Sequence, residues 1–482
     1  MRKLSKIVSG ALSFLLCANV LAACGGNDSS GGSPTESGSS SVTHVHEFGT
    51  EWSMNGTGHW HACECGERAD YAKHSGGTAQ CGDKAVCEIC FKIYGEAGAH
   101  PYGGLTDTEE GKAFVCECGD TKLLADLVDF TVEVEEGREP IILQLSDPQI
   151  TDYSASLMES KCYSYIRETV EATDPDLILV TGDLTYGRFD SADGKVFSSY
   201  VQFMESLDTP WAPVFGNHDN EIEMGVDWQC QQLEEAENCL FRQRSLTGNG
   251  NYSVGVVQGD ALLRTFFMLD SNGCGSPSEA SLKGKNGIKR DAGFGNDQIL
   301  WYKSAMRKIT AASPDTKLSM AYHIQSADFA LSFQQYAEFS ATLTTDGKSY
   351  KNPLNLDTLE TAKDGDFGYL GRPMKGAWGE ASSQHATLKQ LNVDSVFVGH
   401  EHCNSVSIVH NGIRYQYGQK SSTYDRYNAL TPDGKIVGGY DSEHAAGSTP
   451  LMGGTAFKLS QEDGSIVSPY IYLCGNPFGT NP

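Results

Sequence analysis

Five apolar runs in this chain each end on a residue able to bind a metal ion. IILQLS (141–146) leads into Asp147, LILVTG (177–182) into Asp183, and APVFG (212–216) into Asn217 and His218. LSMAY (318–322) leads into His323, and SVFVG (395–399) into His400, Glu401 and His402. Carboxylate, amide and imidazole together are the donors of a hydrolytic centre in which two cations share a carboxylate and activate water. Such a centre requires five separate chain segments to deliver their ends to one place.

The elements that would do so are legible as patterns. Short β-branched apolar runs read as buried strands of a parallel or mixed sheet, and ligand sites in such sheets collect beyond the strands' carboxyl ends. The 155–172 stretch, with Leu157, Tyr163, Ile166 and Val170 at helical spacing, predicts a helix, as do 196–207 and 297–312. Further strands are expected at 252–257, 262–269, 406–409, 413–418 and 454–459, forming a second sheet. Two stacked mixed sheets flanked by helices give a four-layer α/β sandwich over 128–482.

The ordered set Asp147, Gly182-Asp183, Gly216-Asn217-His218-Asp219, His323 and Gly399-His400-Glu401-His402 resembles the calcineurin-like metallophosphoesterases, with all five blocks in the family's order. The resemblance implies hydrolysis of phosphate esters by a hydroxide held between two metal ions. Asp183 bridges both ions, Asp147 and His402 hold the first, and Asn217, His323 and His400 hold the second. His218 follows a ligand directly and stands as general acid or transition-state hydrogen-bond donor, with Asp219 to orient it. The first block departs from the usual D-x-H: it reads Asp147-Pro148-Gln149 and lacks the imidazole. Purple acid phosphatases also lack it and use a tyrosine in G-D-x-x-Y, a spacing that Gly182-Asp183-Leu184-Thr185-Tyr186 fits. Tyr186 or Gln149 completes the first site, so the metals are two of Fe, Zn or Mn without further resolution. By the purple-phosphatase likeness a phosphate monoester is the expected substrate. The alternatives are a phosphodiester of nucleotide, lipid or wall polymer, or a non-catalytic surface-binding protein on a degenerate phosphoesterase fold.

The N-terminal quarter has another character. Arg2, Lys3 and Lys6 precede an apolar stretch that ends in Leu21-Ala22-Ala23-Cys24, which resembles a bacterial lipoprotein cleavage box. That resemblance implies a signal peptide over 1–23, lipidation of Cys24, and an extracytoplasmic protein anchored to the bacterial cell surface. The Gly/Ser-rich stretch 24–43 has nothing to bury and reads as a flexible tether. Residues 44–120 carry seven cysteines and six histidines, with an internal repeat: His46 to Cys63-Glu64-Cys65-Gly66 matches His100 to Cys116-Glu117-Cys118-Gly119. With few large apolar side chains, the segment needs metal or disulfide staples, and the odd cysteine count and co-spaced histidines favour zinc. One site is expected from Cys63 and Cys65 with His46 or His61. A second is expected from Cys87 and Cys90 with two of His74, Cys81, His100, Cys116 and Cys118.

Charge bounds the partners. The 482 residues carry a formal net charge of −26, which argues against nucleic acid as a partner. A phosphorylated small molecule or surface substrate must then be drawn locally, by the metal ions. In the larger segment Cys230 and Cys239, nine apart, are expected to form a local disulfide.

Overall fold

Every residue of the LILVT segment is buried, and the other strands that lead to the metal-binding positions are almost as apolar, so these segments form the interior strands of the fold. A computed structural model describes residues 45–151, 158–273, 292–333, 366–370, 384–422, 429–430, 436–437, 449–477, 479 and 481–482. The signal segment, Cys24 and the tether lie outside the described residues. The chain divides into two units. The larger takes Tyr102–Val115 and Thr121–Pro482, and the smaller takes the described residues up to Pro101 together with Cys116–Asp120. No helix among the described residues is long and apolar enough to cross a membrane.

The larger unit holds two mixed sheets. Trp211–Val214, Leu177–Thr181 and Ile141–Leu145 lie side by side in parallel, followed by Gly453–Leu459 and Ile466–Leu473. An eight-stranded sheet carries Lys317–Ala321 and Val393–Val398 at its centre, also parallel to each other. Three of the five ligand-bearing strands thus belong to one sheet and two to the other. The strand predicted at 454–459 joins the first sheet and not the second: it runs antiparallel to Ile141–Leu145, with Ile142 opposite Phe457. A pairing so distant in sequence leaves no local signal. Its consequence is packing, because Phe457 stacks on Phe397 of the facing sheet at 5.1 Å between ring centroids.

Alternation sorts each strand between two cores. Phe266, Met268, Ala321 and Phe397 face the first sheet and share a cluster with Ile142, Ile178 and the helices Met158–Thr173 and Lys195–Glu205. Phe267, Leu318, Met320, Val396 and Val398 turn the other way, onto Tyr302, Met306 and Ile309 of the helix Asn296–Ala312. Helix, sheet, sheet, helix is the four-layer α/β sandwich. Cys230 and Cys239 are buried and form no disulfide, and the Cys230 thiol donates to Gln243 Oε1 at 3.1 Å. The helix Val226–Glu235 faces its cysteine to a polar partner instead of a second sulfur.

In the smaller unit Phe48–Met54, Gly58–Cys63 and Arg68–Lys73 form an antiparallel sheet, and Lys84–Val86 pairs with Ile93–Ala97.

Candidate metal centre

Each ligand-bearing strand stops one or two residues short of its functional side chain, and the turn that follows aims the side chain inward. The turns are strained: Asp147, Gln149, Asp183 and His400 hold φ of 48°, 46°, 50° and 72°, a region that non-glycine residues avoid. Space around them is equally tight. A Cβ on Gly182 would lie 2.5 Å from His323 Nδ1, and one on Gly399 would lie 2.7 Å from the Asp147 carboxylate. The glycines before Asp183 and His400 are therefore demanded by neighbouring site residues.

The side chains meet as a ring of acceptors. Asp147, Asp183 and His323 offer ligand atoms all within 4.8 Å of one another. His323 is fully buried, and its Nδ1–H donates to the Thr181 carbonyl at 2.8 Å. That bond fixes the tautomer and turns the Nε2 lone pair toward Asn217 Oδ1 at 3.1 Å and Asp183 Oδ1 at 3.4 Å. His402 Nε2 lies 3.2 Å from Asp147 Oδ1, while the His400 backbone N–H donates to the same carboxylate at 3.1 Å. The His400 ring stands edge-on to His323 at 5.2 Å.

The electrostatics of this ring call for a cation. Burial works against ionising Asp183, yet His323 and His218 hold it well below the usual carboxylate range. Asp147 is lowered too, against burial, by His402 and His323. Burial disfavours charge on His323, but Asp183 and Asp147 push its pKa up to about 10. His400, half-buried beside His323, falls to about 3 through desolvation and the neighbouring imidazole. Two buried carboxylates crowded on one imidazole mark a place where positive charge is required. The donors fit two cations: carboxylates, one amide oxygen and imidazoles, with second-partner hydrogen bonds that orient them.

The disputed first-site residue is placed as well. Gln149 is fully buried, and its Nε2 donates to Asp183 Oδ2 at 3.0 Å. Tyr186 instead stacks on the His218 ring at 3.9 Å between centroids. His218 carries its own partner, but that partner is not Asp219. The Nδ1–H of His218 meets Glu221 Oε2 at 2.9 Å. Asp219 accepts the backbone N–H groups of Gly216 at 2.7 Å and Thr185 at 3.1 Å, tying two site loops together. Burial and the nearby Asp183 raise its pKa to about 8.

Two residues escaped the sequence reading. Glu221 was hidden because its i, i+3 relation to His218 counts only once the short turn Asp219–Glu221 is known. Lys420 is 1% exposed, and its Nζ donates to the Asp147 carbonyl at 3.0 Å and to Gln149 Oε1 at 3.1 Å. A fully buried lysine needs such acceptors, but a lone lysine after a strand carries no motif.

The smaller unit gathers Cys63 and Cys65 with His46, one of the two expected alternatives, and divides the remaining ligands into two groups rather than one. His46 joins Cys63 and Cys65, whereas His61 stacks on Trp52 at 4.0 Å. Cys87 and Cys90 meet His74 and His59, and Cys81, His100, Cys116 and Cys118 form a separate group. His59 was not among the expected ligands.

The family model of the calcineurin-like phosphoesterases matches residues 141–404, more than half of the chain. Phosphatase DCR2 of Saccharomyces cerevisiae is 24% identical over 294 residues, covering 56% of this chain and 45% of that protein. The protein named "Probable inactive purple acid phosphatase 29" of Arabidopsis thaliana is 23% identical over 272 residues, covering 53% of this chain and 61% of that one. The chain thus spans about half the length of these relatives. A solved structure of a dimetal phosphatase from Danio rerio aligns with TM-score 0.37 and 12% identity, over 69% of this chain and 98% of that one.

Proposed function

Because the chain belongs to the calcineurin-like phosphoesterases, we propose that it is a metal-dependent hydrolase that removes the phosphate from phosphate monoesters at the Asp147–Asp183–His323 centre. The observation that carries this reading is the geometry of the site: Asp147, Asp183 and His323 bring ligand atoms within 4.8 Å of one another, and His218 stands beside them with its Nδ1–H on Glu221. When bound, the cations supply an activated water and offset phosphate charge.

The chain's own residues do the rest. Asp183 is held by the His218 N–H and the Gln149 amide, which fixes both its oxygens for bridging. His323 is held by Thr181, so its free nitrogen faces the second position. His218, braced by Glu221 and covered by Tyr186, presents Nε2 to the departing oxygen and delivers a proton there. We place Gln149 rather than Tyr186 beside the first metal position, as the residue that orients Asp183 through its Nε2–H while its Oε1 accepts from Lys420. The metals then need not include Fe(III), and Tyr186 serves as a lid on His218.

The experiment is metal quantification on the full chain with hydrolysis of a chromogenic phosphomonoester and phosphodiester. Two ions in the centre and faster turnover of the monoester are expected, with no visible charge-transfer band. A band lost in Tyr186→Phe overturns the Gln149 assignment, and preference for the diester overturns the substrate. We also propose that the protein is exported and anchored through a lipidated Cys24, on the strength of the Leu21-Ala22-Ala23-Cys24 box. A mature N-terminus at an acylated Cys24, seen by mass spectrometry, is the expected result, and a chain still beginning at Met1 overturns it.

A further inference from the structure

We propose that the smaller unit is built around three sites for a zinc-class divalent cation, two closed by four protein ligands and one open with three. The ions there take the place of an apolar core. The first closed site is His59, His74, Cys87 and Cys90; the second is Cys81, His100, Cys116 and Cys118; the open site is His46, Cys63 and Cys65.

The argument begins with what this unit buries. Among its described residues the buried ones are Gly58, His59, Cys63, His74, Cys87, Cys90 and Cys116. Apart from one glycine, every one is a cysteine or a histidine. The apolar side chains lie outside: Phe48, Val86, Ile89, Phe91 and Ile93 are all exposed. A fold without buried aliphatic or aromatic side chains has no hydrophobic term to offset its chain entropy. Buried imidazoles and thiols would add a further cost unless something satisfies them. A metal ion does both, since binding free energy at such sites is folding free energy.

Geometry agrees. In a tetrahedral zinc site the ligand edges are about 3.7 Å between two sulfurs and about 3.5 Å between sulfur and nitrogen. Cys81 and Cys116 sulfurs lie 3.7 Å apart, Cys87 lies 3.6 Å from His59 Nδ1, and Cys90 and Cys118 each lie 3.3 Å from Nδ1 of their histidines. A disulfide bond would bring two sulfurs to about 2.05 Å, and none of the seven cysteines is paired in one. Supporting hydrogen bonds fit ligation as well. His74 Nε2–H donates to the Asn55 carbonyl at 2.8 Å, which leaves Nδ1 as a lone pair toward Cys90.

The internal repeat separates the open site from its closed twin. Gly66 and Gly119 share φ of 93°, and Cys63 N–H and Cys116 N–H accept the same turn, donating at 2.9 Å to Glu67 and Asp120 carbonyls. In each copy the histidine Nδ1 meets the second cysteine, at 3.1 Å for His46 and 3.3 Å for His100. Cys81 supplies the fourth ligand to one copy, and among the described residues nothing supplies it to the other. His46 and Cys65 are exposed, so this site is the one more accessible to chelator.

The test uses the full chain, purified without chelator. Metal is counted in the wild type and in three double variants, Cys87→Ser/Cys90→Ser, Cys81→Ser/Cys116→Ser and Cys63→Ser/Cys65→Ser. Each variant is expected to lose one ion per chain. Because a variant could fail to fold, the wild type is also alkylated under native conditions and mapped by mass spectrometry. The five thiols of the closed sites are expected to react only after chelator is added, with the Cys63 and Cys65 thiols released first at low chelator. Sulfur-to-cobalt charge-transfer absorption after cobalt exchange, lost in the same order, supports the assignment. Disulfide-linked peptides unaffected by chelator overturn it. So does immediate alkylation of all seven thiols, and immediate alkylation of Cys63 and Cys65 alone overturns the open site.

Discussion

At the scale of single residues, the centre is set by what each donor does with its second atom. Glu221 holds His218 through its Nδ1–H, and Glu221→Gln keeps shape but weakens that hold. We expect kcat to fall by roughly 10-fold or more with KM nearly unchanged, since the group acts on proton delivery and not on binding. Steady-state kinetics on the monoester decide it; a rise in KM alone would remove Glu221 from the chemistry. Lys420 binds no substrate in the arrangement described, but it ties the Asp147 carbonyl to Gln149. Lys420→Met is expected to raise the metal concentration for half-maximal activity by about 10-fold, the usual effect of losing a partner behind a ligand. A metal titration that superimposes on the wild type would show that the lysine only fills space.

At the scale of elements, strand ends and their turns explain both what the sequence disclosed and what it concealed. The ligand positions were readable because each apolar run ends one turn before its donor, a purely local relation. The sandwich followed from the same runs. Sheet membership of Gly453–Leu459 did not, since its partner Ile141–Leu145 lies some three hundred residues earlier in the chain. Glu221 and Lys420 were concealed for a related reason: their roles exist only in the folded geometry of a turn and of a strand end. In the smaller unit, spacing alone could not choose among cysteines, so Cys87 and Cys90 were assigned without His59. The motif glycines, by contrast, have a steric meaning that can be tested. Gly182→Ala places a methyl against the His323 ring at a φ of 88°, and one of the two must move. Metal affinity is expected to drop by about 10- to 100-fold while the melting temperature of the metal-free protein changes little. Loss of the folded state without metal would instead assign the glycine to the fold.

At the scale of the whole molecule, the site and the surface oppose each other. The chain carries a formal charge of −26, yet the proposed reaction brings an anionic ester to a centre that would hold two cations. Long-range repulsion therefore slows encounter, while short-range attraction holds what arrives. Salt screens charges more than about 10 Å apart at 0.1 M and acts far less on partners in contact inside a buried site. Raising ionic strength should then help association more than it harms binding. We expect kcat/KM for the monoester to rise by about two- to threefold between about 20 and about 200 mM sodium chloride. For a diester of lower charge the rise should be smaller, because the repulsion scales with substrate charge. Initial rates on both esters at matched metal occupancy measure this. A kcat/KM that falls with salt for both would mean that a positive field at the mouth of the site reaches further than the protein's overall charge.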